Sequence, residues 1–367
     1  MKKKTILCVI GTRPEAIKMA PVILALKNKP WVSVRVLATA QHRQMLDQVL
    51  SFFNIHPDID LDIMLPNQTL TTLTARLLLK IEDVLITEKP DIVLVQGDTT
   101  TVMSIALACF YHHIPVGHIE AGLRTWNLQN PFPEEANRVI VSKLARWHFA
   151  PTEGSRKNLL KEKISEENII VTGNTVIDAL LITAAKNLKF QFELDNSKKL
   201  LLVTSHRREN FGKPFENICL ALLKLAELKQ DIQILFPVHP NPNVKEVAYR
   251  VLGNNKNIIL SEPLDYAQFV GAMKNSYMII TDSGGVQEEA PALGKPVLVL
   301  RNETERPEAV KMGVVKLIGA NYDRIIKESK KLLENNLEYS KMAKGVSPYG
   351  DGHSAERIEE FLRRQFI

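Results

Sequence analysis

The sequence predicts an α/β protein of two similar halves, each a parallel sheet wrapped by helices. Short β-branched runs alternate with longer helical patterns, and the alternation restarts after the polar interval 186–199. At 367 residues the chain exceeds the usual size of a single core, which favours two domains.

The predicted strands are short apolar runs between helical patterns. In the first half they are Ile6–Ile10, Val34–Ala38, Ile92–Gln96, Val116–Ile119 and, more weakly, Trp147–Ala150. In the second half they are Leu200–Thr204, Ile232–Val238, Ile258–Leu260, Met278–Thr281, Pro296–Leu300 and Val314–Leu317. A helix start is predicted at Asn174, near the crossover between the halves, and a terminal helix over Ala355–Phe366.

The composition is that of an ordinary globular protein, with 45% hydrophobic and 24% charged residues. The net charge of +6 suits a small anionic substrate, but scattered lysines and 6% aromatic residues disfavour a nucleic-acid platform. Cys8, Cys109 and Cys219 lie far apart in apolar runs, which predicts reduced core residues in a cytoplasmic protein. No segment is long and apolar enough to span a bilayer, so no membrane partner is expected.

The stretch TDSGGVQEEAP joins a predicted strand to a predicted helix. The N–H groups of Ser283, Gly284 and Gly285 would be unpaired helix-start donors, and the helix dipole favours an anion there, so a phosphate fits. Glu289 would then lie far enough along the helix to reach a ribose. The alternative is a simple helix cap by Asp282 or Ser283, with solvated carboxylates behind it.

Charged side chains cluster where predicted strands end. Ligands of open parallel sheets bind beyond the carboxyl ends of the strands. The candidates at these ends are Arg13, Lys18, Asp98, Glu120, Glu134, Arg138, His206 and His239. Glu134 and Arg138 are spaced for an i,i+4 pair. Singly, each has an alternative as a surface ion pair, a loop histidine or a helix cap; together they favour an interdomain active site.

The absence of common cofactor-binding and metal-binding motifs limits the classes of reaction that the chain could catalyse. The chain has neither GxGxxG nor GxxxxGK[ST], and no His/Cys/Asp cluster at metal-ligand spacing, so no cofactor and no metal are predicted. What remains is a set of diphosphate donors together with three acids, Asp98, Glu120 and Glu134. That combination suits a nucleotide sugar whose pyrophosphate is bound tightly and released as a leaving group.

The ordered motifs GTRPEAIKMAP, QGDTTT, HIEAGLRT, PEEANR, TGNTVIDAL, SHRREN, PVHPNP, TDSGGVQEEAP and ETERPEAV resemble the non-hydrolysing UDP-N-acetylglucosamine 2-epimerases over nearly the whole chain. The resemblance implies two Rossmann-like domains with an interdomain cleft, as in the B-type glycosyltransferases. It also implies a homodimer that interconverts UDP-GlcNAc and UDP-ManNAc and supplies ManNAc units for surface polysaccharide synthesis. The implied domains are 1–170 for the sugar and the acids, 171–352 for UDP, and 353–367 as a helix returning to the first domain.

The implied mechanism is elimination of UDP to 2-acetamidoglucal followed by re-addition, with acids near both faces of C2. The resemblance gives the acid/base roles to Asp98, Glu120 and Glu134, and the diphosphate to His206 with Ser283, Gly284 and Gly285. The remaining implied substrate contacts are Arg13 and Lys18 near the phosphates, Arg138, Phe269 by the uracil, Glu289 at the ribose, and Arg306.

Many bacterial members of the family bind a second UDP-GlcNAc as an activator. The residues that match that candidate allosteric site are Gln41, Gln44, Gln68, Arg207 and His239, while Asn67 stands where those members carry Arg. Three alternatives to a non-hydrolysing epimerase stay open at this point. They are a glycosyltransferase of the same fold, a hydrolysing epimerase that releases UDP and free ManNAc, and a non-catalytic nucleotide-sugar sensor.

Overall fold

The structure is a computed structural model that describes residues 3–39, 43–65, 68–186 and 190–367, with only the backbone of 43–45. The chain forms two compact units. The first unit is Met1–Ala179 with Tyr349–Ile367, and the second unit is Leu180–Pro348. The functional domains predicted as 1–170, 171–352 and 353–367 stay a prediction.

Within the described residues, the first unit contains a seven-stranded parallel sheet in the order β3-β2-β1-β4-β5-β6-β7. Its strands are β1 Lys4–Ile10, β2 Val32–Ala38, β3 Ile59–Asp60, β4 Ile92–Gln96, β5 Val116–Ile119, β6 Trp147–Ala150 and β7 Ile169–Val171. Its helices are α1 Arg13–Lys27, α2 Arg43–Phe52, α3 Leu70–Glu88, α4 Thr100–Tyr111, α5 Glu134–Leu144, α6 Glu153–Lys161 and the first part of α7 Thr175–Ala185.

The second unit contains, in its described part, a six-stranded parallel sheet in the order β10-β9-β8-β11-β12-β13. Its strands are β8 Lys199–Thr204, β9 Ile232–Pro237, β10 Ile258–Ser261, β11 Met278–Thr281, β12 Val297–Val299 and β13 Val315–Leu317. Its helices are α8 Lys213–Leu228, α9 Pro242–Leu252, α10 Tyr266–Asn275, α11 Gly284–Glu289, α12 Pro307–Lys311, α13 Tyr322–Glu334 and α14 Asn336–Met342; the terminal helix α15, Ser354–Phe366, belongs to the first unit.

Both sheets have the strand order of a Rossmann fold, in which the first strand lies between the second and the fourth. The predicted fold of two Rossmann-like α/β halves is therefore confirmed. In such sheets the chain reverses direction of travel beside the first strand, and a crevice opens there at the carboxyl ends. The strand order therefore predicts that ligands bind at the loops after β1 and β4 in the first sheet and after β8 and β11 in the second.

The terminal helix α15 is fixed to the first unit by aromatic contacts. The ring of Phe361 lies edge-on to Trp147 and Phe149, with centroids 5.8 and 5.7 Å apart, and Trp31 donates to Glu359 Oε1 at 2.9 Å. Each edge-on aromatic pair contributes about 0.5–1.5 kcal/mol beyond its buried area. The predicted terminal helix over Ala355–Phe366 is confirmed, beginning one residue earlier at Ser354.

The prediction that the three cysteines are unpaired core residues is also confirmed, while a cytoplasmic location stays a prediction. Cys8, Cys109 and Cys219 are buried free thiols, and burial raises the pKa of each to about 12. They are therefore unreactive core residues. Among the helices of the described ranges, none has the length and apolarity needed to cross a membrane.

Candidate active site

The carboxylate of Glu120, directly after β5, is held by three side chains from different elements. Lys18 Nζ on α1 lies 2.6 Å from both of its oxygens, and Gln96 Nε2 at the end of β4 donates at 2.5 Å. Asn174 Nδ2, before α7, donates to Oε1 at 2.9 Å. The Glu120 side chain is 8% exposed, and its backbone has a φ of +66°. A non-glycine residue in that left-handed region is strained, and such strain often marks functional sites.

Asp98 lies after the neighbouring strand β4 and pairs with Arg138 on α5. Arg138 Nη2 and Nε lie 2.7 and 2.9 Å from Asp98 Oδ2. The alternative of a surface ion pair between Glu134 and Arg138 does not hold, because the guanidinium bonds to Glu135 instead, at 2.9 Å. Glu135 is fully buried, and its other oxygen accepts the N–H groups of residues 125 and 126, which compensates for the burial and fixes the carboxylate.

Glu15, which the sequence analysis did not select, ties the loops after β1 and β4 together. Its Oε2 accepts the N–H groups of Gly11 and Thr12 at 2.5 and 2.8 Å, and its Oε1 accepts the Thr99 hydroxyl at 2.6 Å. Burial raises the pKa of Glu15 to about 7, against the opposing effect of these hydrogen bonds. The signal in the sequence is the capping-box pattern from Thr12 to Glu15.

His118 on β5 fixes the loop that carries Asp98. Its Nε2 lies 2.7 Å from the carbonyl oxygen of Gly97. Since a carbonyl only accepts, Nε2 carries a hydrogen. Burial lowers the pKa of His118 to about 4, so it stays neutral across the physiological range.

Three predicted residues of the first unit remain: two lie at helix starts, and the third forms an ion pair with another predicted residue. Arg13 and Glu134 begin α1 and α5 and make no ion pair with the described residues. Lys18 pairs with Glu120. The predicted contacts of these side chains with phosphate or sugar stay predictions.

In the second unit, Asp282 joins the loops that follow β8 and β11. This fully buried carboxylate accepts the Ser205 hydroxyl at 2.8 Å, the N–H groups of His206 and Arg207 at 3.0 Å, and Asn210 Nδ2 at 3.0 Å. Asp282 therefore does not cap α11, and Ser283, in the cap position, makes no side-chain cap bond. The carboxylate instead sets the path of the loop that presents His206.

His206 is half-buried between a carboxylate and a second histidine. Its Nδ1 lies 3.3 Å from Asp282 Oδ1, and its ring stacks on that of His239 with centroids 5.8 Å apart. Burial lowers the pKa of His206, Asp282 raises it in part, and Arg207 and His239 lower it further. The imidazole is therefore neutral at neutral pH, and a nearby anion would favour its protonation.

Gly284 lets a guanidinium lie against the start of α11. A Cβ atom at Gly284 would lie 2.7 Å from Arg306 Nη1, so the guanidinium would have to move away. Arg306 Nε donates to Glu288 Oε1 at 2.7 Å, and the Thr304 hydroxyl donates to buried Gln287 at 2.7 Å. These bonds place the positive charge of Arg306 beside the Ser-Gly-Gly turn, as a phosphate site requires.

Two other predicted ligand residues occupy the same unit. Glu289 ends α11, and its Oε1 lies 3.5 Å from where a Cβ of Gly285 would stand, so the carboxylate folds back along the helix. Phe269 is a half-buried residue of α10. Their predicted roles at ribose and uracil stay predictions.

The predicted activator residues are divided between the units. Gln41 and Asn67 lie outside the described residues, as does the side chain of Gln44. Gln68 Nε2 lies 3.0 Å from the Met64 sulfur in the first unit, while Arg207 and His239 flank His206 in the second. An activator site stays a prediction. No group of three or more His, Cys, Asp or Glu among the described residues is placed to hold a metal ion.

Comparison with known proteins identifies the family. The family model described as UDP-N-acetylglucosamine 2-epimerase matches residues 24–363. Enzymes of that name from Salmonella typhimurium and Escherichia coli are 54% and 52% identical to the chain; the first match covers 98% of both proteins and the second 99%. A crystal structure of UDP-GlcNAc 2-epimerase from Neisseria meningitidis, bound to UDP-GlcNAc, has a TM-score of 0.87 at 50% identity and covers 98% of this chain and 100% of its own.

These matches run from end to end, and they confirm the resemblance seen in the motifs. The chain belongs to the UDP-N-acetylglucosamine 2-epimerase family and is therefore an isomerase.

Proposed function

We propose that the protein interconverts UDP-GlcNAc and UDP-ManNAc without hydrolysis, through elimination of UDP to 2-acetamidoglucal and its re-addition, and so supplies ManNAc units for surface polysaccharides. The substrate is proposed because the relatives carry that activity in their names and one of them is bound to UDP-GlcNAc. The mechanism is proposed on chemical grounds, set out next.

The hydrogen on C2 of the sugar is not beside a carbonyl, so direct removal is too slow. As the C1–O bond breaks, its electron pair leaves with UDP and C1 gains oxocarbenium character, which makes the C2 hydrogen acidic. A carboxylate takes this proton and the C1=C2 double bond forms. In the return step the UDP oxygen adds to C1, and a proton is delivered to the other face of C2.

The observation that carries this proposal is the environment of Glu120. A base must be ionised and held in one orientation, and here an ammonium and two amides hold the carboxylate. Asp98, after the adjacent strand, is a second carboxylate with its own cation, Arg138. Proton removal and return at one carbon require one group that accepts the proton and one that donates it, and two carboxyl groups at neighbouring strand ends are suited to share these tasks.

The diphosphate is proposed to bind the second unit at His206, Ser283, Gly284, Gly285 and Arg306. Asp282 and the Arg306–Glu288 pair fix these groups before any ligand arrives. A neutral His206 gains affinity for a proton when the diphosphate charge lies beside it, so it is suited to stabilise departing UDP.

Proton NMR of the protein with UDP-GlcNAc in heavy water, without added cofactor, tests the proposal. We expect deuterium at C2 of both epimers while each is still attached to UDP. Free UDP with free ManNAc as the main product would indicate a hydrolysing enzyme. Tight UDP binding with C2 fully protonated and no manno signals would contradict epimerisation and favour a transferase or a sensor.

A homodimer is part of the proposal, and the first unit offers a surface for it. The adjacent helices α3, α4 and α5 expose large apolar side chains, an unusual cost for a surface without a partner. They are Leu79 at 70%, Ile86 at 54%, Phe110 at 56%, Tyr111 at 65% and Ile140 at 42% exposure.

We expect sedimentation of the unchanged protein to give twice the mass of one chain. The double variant Leu79→Glu with Phe110→Glu should sediment as a monomer, because an apolar interface would have to bury the new carboxylates without water, at a cost in free energy. Leu337→Glu is the matched control, since Leu337 is 75% exposed on α14 of the second unit. A monomeric unchanged protein, or a double variant that remains dimeric, would exclude this surface.

A further inference from the structure

Asn174 lies where β7 leads into α7, and each polar atom of its side chain has a partner. The residue is 3% exposed. Its Oδ1 accepts the N–H of Val176 at 3.1 Å, its Nδ2 donates to Glu120 Oε1 at 2.9 Å, and its own N–H donates to the carbonyl of Tyr349 at 2.6 Å. Because only an oxygen can accept from Val176, the amide orientation is settled and Nδ2 must face Glu120.

The contact completes a set of donors around one carboxylate. Lys18 supplies the charge, but an ammonium on a flexible stem does not define the plane of its partner. Gln96 and Asn174 are buried amides at the ends of different elements, and they approach different oxygens, Oε2 and Oε1. Together the two amides determine which way the Glu120 oxygens point.

We propose that Asn174 is a positioning residue for the epimerisation, acting through Glu120 rather than on the substrate. The inference rests on the proposed role of Glu120 as an acid/base group. It makes Asn174 more than a helix cap, because a cap needs only the Oδ1 contact, which Asp or Ser would supply equally well. The donor to Glu120, in contrast, requires the amide.

The variant Asn174→Asp separates these two roles. It keeps an oxygen for the Val176 N–H and replaces the donor with a carboxylate oxygen facing Glu120. Two carboxylates so close share a proton, and the pKa of the pair rises. The other titratable groups near this pair of carboxylates are Lys18, which forms an ion pair with Glu120, and His118, whose lowered pKa keeps it neutral.

We expect Asn174→Asp to lower kcat at least about tenfold and to move the acid limb of its pH profile up by about one unit, with a smaller change in KM. Asn174→Ser, which keeps a cap but adds no charge, should lower kcat without the upward movement. Asn321→Asp is the matched control: Asn321 is an exposed cap of α13 whose side chain accepts the Arg324 N–H at 2.9 Å. It should leave kcat, the pH profile and Tm unchanged.

The Glu120→Gln variant separates failure of this inference from failure of the proposed function. Normal turnover of Glu120→Gln would end the proposed role of Glu120. An inactive Glu120→Gln together with wild-type kcat and pH profile in both Asn174 variants would overturn the positioning role alone. A kcat loss in the Asn174 variants that follows a loss of Tm, with an unmoved pH profile, would reduce Asn174 to a helix cap and also overturn it.

Discussion

The Glu120→Gln variant is expected to epimerise UDP-GlcNAc about a thousandfold more slowly than the unchanged protein, because loss of a general base costs roughly 10²–10⁴ in rate. An amide of the same shape cannot take the C2 proton. It also places an NH₂ group or a neutral oxygen beside Lys18 Nζ, where the carboxylate now lies at 2.6 Å. Most of the proposed UDP ligands, His206, Ser283, Gly284, Gly285 and Arg306, belong to the second unit, so the dissociation constant for UDP should stay within about threefold.

Turnover by NMR and UDP affinity by calorimetry check this expectation, with Asp98→Asn in parallel. Asp98→Asn should also keep UDP binding and lose most turnover, because it removes the second proposed acid/base carboxylate, which pairs with Arg138 in the unchanged protein. Glu153→Gln is the control, because Glu153 is an exposed first-turn carboxylate on α6 that pairs only loosely with Arg156, at 3.4 Å. Near-normal turnover in both Glu120→Gln and Asp98→Asn would contradict the acid/base assignment.

The strands could be predicted from the sequence where they are central in the sheet and apolar. The predicted runs Ile92–Gln96 and Met278–Thr281 coincide with β4 and β11, which lie beside the first strand of each sheet. β3, Ile59–Asp60, and β7, Ile169–Val171, were not predicted. They are short edge strands, and an edge strand with one neighbour needs no long apolar run.

The site was predictable as a set of strand ends, but not as a set of bonds. Loops after β1, β4 and β5 of the first sheet and after β8 and β11 of the second carry the predicted groups, because parallel topology brings the carboxyl ends of the strands to one edge within each sheet. The bond from Arg138 to Glu135 was not predicted, because i,i+4 spacing on the helix indicates Glu134, whereas Glu135 is held by the backbone of a turn outside the helix, at residues 125 and 126. The bond from Asn174 to Glu120 spans 54 residues, and no local pattern encodes it.

The first unit is expected to lose stability steeply as the pH falls from about 6.5 to 4, and the cause is a pair of buried histidines. His118 and His148 are register partners on β5 and β6, and each is 1% exposed. Burial lowers the pKa of His118 to about 4 and that of His148 to about 3; each site also feels the buried charge of Arg124. An unfolded histidine titrates near pH 6.5.

The sign follows from proton counts. Below pH 6.5 the histidines of the unfolded chain are protonated, while His118 and His148 in the native state are not. The unfolded state therefore binds more protons, so acid favours unfolding. Each unit of pKa difference is about 1.4 kcal/mol, and the pair therefore accounts for several kcal/mol at most. Glu15 acts in the opposite direction: its pKa of about 7 in the fold makes the native state bind the extra proton between about pH 4.5 and 7.

Tryptophan fluorescence isolates the measurement, because Trp31, Trp126 and Trp147 all lie in the first unit. Urea unfolding from pH 4.5 to 7.5 should show His148→Gln less stable than the unchanged protein at pH 7.5, with the difference shrinking by about 2 kcal/mol at pH 4.5, since the variant no longer titrates at that site. Glu15→Gln should gain stability relative to the unchanged protein as the pH rises from about 4.5 to 7, because an amide avoids the cost of an ionised buried carboxylate.

The two variants therefore change the pH slope in opposite directions, His148→Gln below about pH 6.5 and Glu15→Gln between about pH 4.5 and 7, and a general loss of packing would not do this. Curves for His148→Gln and the unchanged protein that stay parallel below pH 6.5 would show that His148 accepts a proton in the native state as readily as in the unfolded chain. His148 would then not be a source of acid sensitivity, and the slope would be set by His118 against Glu15, which acts with the opposite sign.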